Sequence, residues 1–104
     1  MYYMNSIIKC SIKLNKDSLE TFHTVITVYC KCKDLDSSMQ VENFNNIDVF
    51  LRHNVENVYL EDIIECPATL EKLAKYIWDN IINCYKVKIS MSGNYEVIFE
   101  EDVE

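Results

Sequence analysis

Hydrophobic periodicity changes twice along this chain, from two residues to between three and four and back to two, and that order leaves few architectures open. Residues 5–14 alternate around Ile8, Cys10, Ile12 and Leu14. After the polar turn Asn15–Ser18 a second alternating stretch runs from about Thr21 to Lys33. There Thr24, Ile26, Val28, Cys30 and Cys32 share one face, and Val25, Thr27, Tyr29 and Lys31 share the other. The first face is apolar and should carry helices, the second is mixed, and the two stretches predict an antiparallel hairpin. Beyond a polar loop over 34–40, Phe44, Ile47, Phe50 and Leu51 fall at helical spacing behind a capping Asn43, predicting a first helix over 43–52. From Thr69 to Asn83 the stripe Leu70, Leu73, Ala74, Ile77, Trp78, Ile81 and Ile82 predicts a second helix, with Glu71 and Lys75 as a favourable pair on its outer side. Tyr85–Met91 and Tyr95–Glu100 read as strands joined by Ser92-Gly93-Asn94, and residues 100–104 as a frayed end. The expectation is one α+β domain over residues 1–104.

Composition narrows the function classes. At 49% hydrophobic residues the chain can bury one core. No apolar run approaches the roughly 20 residues of a membrane span. The opening Met1-Tyr2-Tyr3-Met4-Asn5 lacks the charged-then-apolar order of a signal peptide, so a cytoplasmic protein is expected. Five cysteines are an odd number for a disulfide framework and read as reduced, packed thiols; Cys30-Lys31-Cys32 sets two on one strand face, where packing is a simpler role than a soft metal. A net charge of −7 with only ten basic residues argues against a nucleic-acid surface; such a charge keeps a small protein soluble, or as an acidic face engages a basic protein partner.

Four local matches resemble the 6-pyruvoyl- and 6-carboxy-tetrahydropterin synthase family, which includes the queuosine-precursor synthases. Val41-Glu42-Asn43-Phe44 is similar to the family's V-x-D-F entry into the first helix, and Val55 to Ile63 lies where the family has L-D-H-x-x-L-N-D and an apolar residue. Pro67 and Thr69-Leu70-Glu71-Lys72-Leu73-Ala74 resemble P-T-x-E-N-L-A, and Val87-Lys88-Ile89-Ser90 resembles the strand leading to a substrate-anchoring Glu. The resemblance implies the ββααββ tunnelling fold, an antiparallel sheet with two helices on one face, in a ring-like homo-oligomer whose sheets join around a barrel.

It also marks what this chain lacks. The family's enzymes hold Zn²⁺ with three histidines, and this chain has two, His23 between Phe22 and Thr24 and His53 near a helix C-terminus. Glu56-Asn57 stands where the family has a catalytic Asp-His pair, and an Asn cannot exchange a proton near neutral pH. The short turn Asn15 to Glu20 replaces the segment with the nucleophile-like Cys and the zinc ligands, and Met91 stands near the expected pterin-anchoring Glu. No catalytic residue, metal or cofactor is therefore expected.

These readings lead to a non-catalytic, oligomeric binding protein whose mixed sheet face (Val25, Tyr29, Val87) is used in assembly. Glu42, Asp48, Glu56, Glu61, Asp62 and Glu65 form its candidate acidic surface for a basic partner. One concrete version is a phage or other mobile-element inhibitor of a bacterial defence nuclease, its carboxylates occupying a nucleic-acid channel. The alternative is a pterin- or purine-type ligand-binding protein or enzyme with a zinc-independent site between subunits, using Glu56, Tyr59 and Glu71. A third reading is an accessory subunit with Tyr2, Tyr3 and Phe99 as contacts.

Overall fold

A computed structural model describes residues 1–17, 20–33, 37–91 and 94–101, with residues 37–41 described as backbone only. The elements are β1 (Tyr2–Ile12), β2 (Phe22–Cys32), α1 (Ser37–Asn54), a 3-10 turn (Leu60–Asp62), α2 (Leu70–Asn80), β3 (Cys84–Met91) and β4 (Tyr95–Glu100). The four strands form one antiparallel sheet in the order β1-β2-β3-β4, so the expected α+β class and ββααββ order are observed.

The sheet has one covered face and one open face because each strand alternates. Ile8, Cys10 and Ile12 of β1, Ile26, Val28 and Cys30 of β2, and Cys84, Val87 and Ile89 of β3 are buried. Against them pack Ile47, Leu51 and Val55 from α1 and its end, and Leu70, Leu73, Ala74 and Ile77 from α2. α1 lies over β1 and α2 over β3 and β4. Thr69 starts α2 by accepting the Lys72 N–H on its side-chain oxygen at 3.2 Å.

Several expectations are corrected. α1 begins at Ser37 and not at Asn43, so Asn43 lies within the helix and caps nothing. α2 stops at Asn80, because Ile81 is extended and Asn83 takes φ 64° to turn the chain into β3. On its outer side Lys75 bonds Asp79, and Glu71 instead receives the Tyr95 hydroxyl. Val87 belongs to the core and not to the mixed face, and Phe99 packs edge-on against Trp78 at 5.4 Å. Val87 stands opposite Val28, in step with Ile89 opposite Ile26, so plain alternation turns it inward; beyond it a register irregularity between Tyr29 and Cys30 sets Cys84 beside Cys30 in the core as well. The Ser92-Gly93 turn and residues 102–104 lie outside the described residues, while the Glu101 N–H still bonds the Tyr85 carbonyl.

No helix among the described residues is long and apolar enough to cross a membrane. The five cysteines form no disulfide. Burial pushes the Cys10 thiol up to about 11. Contact with Cys30, and then burial, raise the Cys84 thiol further still.

Candidate functional site

The candidate ligand residues Glu56, Tyr59 and Glu71 sit at the same end of the sheet but on opposite edges. Glu56 follows α1 beside β1: the Asn57 N–H bonds the Ser11 carbonyl at 2.9 Å, and the Leu60 N–H bonds the Lys13 carbonyl at 2.8 Å. These bonds lay the chain along the outer side of β1, where Tyr59 bridges Lys13 in parallel and the Lys13 ammonium stands 5.5 Å from its ring centre. Asn57 holds φ 58°, a left-handed turn that Asn tolerates. Glu71 is on the first turn of α2, over β4, and accepts the Tyr95 hydroxyl at 2.9 Å. Three strand spacings of about 4.8 Å separate the two edges, about 14 Å in all.

Arg52 organises the β1 side. It donates to the Lys9 carbonyl at 2.7 Å, pairs with Asp48 at 3.4 Å, and pairs with Glu56 through a short contact. The sequence carries the signal for this hub, since Asp48, Arg52 and Glu56 follow one another at four-residue spacing on a helix. At the β4 side, the Glu71 backbone N–H and the Tyr95 phenol hold the Glu71 carboxyl below the usual carboxylate range, and the same hydrogen bond raises the Tyr95 phenol.

The candidate acidic surface divides into separate groups. Asp48 and Glu56 are held by Arg52, while the Lys16 backbone N–H bonds Glu61 at 2.7 Å and its ammonium pairs with Asp62 at 3.0 Å. Glu65 lies in the loop before α2, where its carbonyl accepts from Lys72. Glu42 is at the far end of the sheet, lining a cavity of about 220 Å³ with Met4, Cys32, Asn43, Asn46 and Asn83. A second cavity, of about 210 Å³, opens between β1 and β2 and is lined by Lys9, Ser11 and His23, with Ser11 and His23 hydrogen-bonded at 3.1 Å.

Among the described residues no three His, Cys, Asp or Glu side chains are grouped to hold a metal ion. His53 is exposed in the last turn of α1. No protein-family model matches the chain. No curated protein matches it either.

Proposed function

We propose that this is an oligomeric, non-catalytic binding protein whose copies join head to tail through the outer edges of β1 and β4, on a scaffold of the tetrahydropterin-synthase kind. The observation that carries the reading is the match between the two edges. Within the sheet Ile7, Thr27, Lys88 and Ile98 form one cross-strand row, and its two ends are bare: Ile7 is 65% exposed and Ile98 49%. The outward carbonyls of Lys9, Ser11 and Lys13 fix the strand's alternation, so Ile7 also turns its backbone outward. The Glu101 N–H points in to Tyr85, so Ile98, three residues earlier, turns outward as well.

β1 and β4 run in opposite directions, so a neighbouring copy placed by simple rotation presents its β4 antiparallel to β1. Set Ile7 opposite Ile98 of the next copy, and Lys9 faces Glu96 while Asn5 faces Glu100. One apolar pair and one pair of opposite charge then fall in register. On the outer edge of β1 the Lys9 carbonyl already accepts from Arg52, and from Ser11 onward the edge is bonded by residues 57–61, so the length of β1 left free is short, like β4.

The same register supports a small-ligand pocket at each junction. Tyr95 of the next copy falls opposite Cys10, which lies beside Arg52, so its Glu71 comes toward Glu56 and Tyr59 on the helix side. A carboxylate is an acceptor for the paired donors on the edge of a pterin or purine ring. Asp48, Glu56 and Asp62 are each held by a cation of their own chain and Glu61 by the Lys16 backbone N–H, and the reading does not use them as a docking face.

A mixing experiment tests the junction. Ile7→Lys and Ile98→Lys each disrupt one edge, so each variant alone runs as a monomer, and the two mixed recover a dimer through the one intact junction. If Ile98→Lys assembles like the parent, the head-to-tail reading is wrong.

A further inference from the structure

We propose that the open face of the sheet is a binding platform for single-stranded nucleic acid. The chain is acidic as a whole, with ten basic residues against seventeen acidic ones, but the fold segregates them. Lys9, Lys31, Lys86 and Lys88 stand on the open face, and among the described strand residues the acids that share it are Glu96 and Glu100, on β4. Glu96 pairs with Lys88 at 3.6 Å, which leaves the β1–β2 side of the face positive. A local field of one sign attracts a polyanion whatever the net charge of the molecule.

Aromatic rings decide which polyanion. Tyr3, Tyr29 and Tyr85 cluster on this face, with Tyr3 and Tyr85 edge-on at 5.8 Å and Tyr29 and Tyr85 at 6.2 Å. The Lys86 ammonium stands 4.8 Å from the Tyr29 ring centre and that of Lys31 stands 5.9 Å from Tyr85. Tyr3 is 65% exposed, so its ring is open to stacking. Lysines interleaved with rings are the pairing that holds phosphates while bases stack, and stacking accepts any base. An acidic peptide would use the lysines but leave the rings without a partner.

The cavity lined by Lys9, Ser11 and His23 lies at the other end of the same face, with hydroxyl and ring-nitrogen groups beside a lysine. From Tyr3 to Lys9 the strand rises about 20 Å, a length that several nucleotides span. The platform thus has a stacking end and an end suited to a phosphate. It exists in a single copy; in a joined pair the neighbour's Glu96 stands beside Lys9, and Lys31 and Lys86 beside the rings remain.

The test is fluorescence anisotropy with a labelled ten-nucleotide oligo(dT) and its oligo(U) counterpart at low salt, titrated with the full chain. Tyr3→Ala is expected to weaken binding by about 5-fold or more, the loss of one stacked base. Lys31→Ala with Lys86→Ala should weaken it and reduce the salt slope by about one unit per lost phosphate contact, while Lys75→Ala on α2 leaves it unchanged. A glutamate peptide of equal charge should bind at least tenfold more weakly. No binding at low salt, binding indifferent to the tyrosine and lysine changes, or equal binding by the peptide would each overturn the proposal. Light scattering on the same samples keeps a failure of the face distinct from a failure of the junction.

Discussion

Truncating the two edge isoleucines tests the proposed junction. A fully buried Ile side chain is worth about 1.5–3 kcal/mol. With 65% of Ile7 and 49% of Ile98 still bare, covering them contributes about 1–2 and about 0.7–1.5 kcal/mol respectively. Ile7→Ala or Ile98→Ala removes most of its share, so each weakens a junction by about 1 kcal/mol, roughly 5-fold, and the double change by about 30-fold. In the separated subunit both side chains face solvent, so the intrinsic stability of the monomer shifts by less than about 0.5 kcal/mol. Sedimentation velocity over a concentration series reads the first effect, and urea unfolding at the dilute end reads the second. Unchanged association in both variants would refute the edge match. An effect confined to Ile7→Ala would point to a symmetric β1–β1 contact instead.

Other consequences follow from the packing and the hydrogen bonds. Leu73→Ala empties a fully buried site under α2 and should cost about 2–5 kcal/mol, read as a lower urea midpoint with an unchanged slope. Thr69→Ala removes the cap on the Lys72 N–H and should cost about 0.5–2 kcal/mol, while Thr69→Ser retains most of it. Tyr95→Phe should raise the Glu71 carboxyl toward its ordinary value, followed by NMR titration. The depressed folded value means that Glu71 stabilises the fold above its unfolded pKa and loses that contribution as pH falls through the folded one, so the variant should be less sensitive to acid in that window. An unchanged Glu71 titration would mean that its own backbone N–H accounts for the whole depression.

The strands were legible because alternation survives at the surface and in the core alike: β4 runs over Tyr95–Glu100 as its pattern predicts, and β2 ends within one residue of its expected limits. Helix limits were less so. The polar residues before Asn43 resemble a loop in sequence, yet the backbone is helical from Ser37. At the other end Ile81 and Ile82 continue the apolar stripe of α2, but the chain is extended at Ile81, and Ile82 is 83% exposed. The face of a strand residue was legible only up to the Tyr29–Cys30 irregularity. At it Tyr85 joins Lys86 on the open face and Cys84 turns inward beside Cys30, which parity counted along the sequence misses, whereas Val87 shares the inward face of Ile89 by plain alternation.

The site was partly legible for a similar reason. Spacing shows that Glu56, Tyr59 and Glu71 are near helix ends, but not that β1 holds two of them and β4 the third. Net charge hid the open face entirely, since four lysines gather there only through the pairing of β1, β2 and β3.

The central claim, that copies join edge to edge, is tested most directly by the mass of the parent protein in solution, by light scattering on a chromatographed peak. The account predicts a discrete multiple of the 12.3 kDa subunit that persists on moderate dilution. A 12.3 kDa species at every concentration would contradict it.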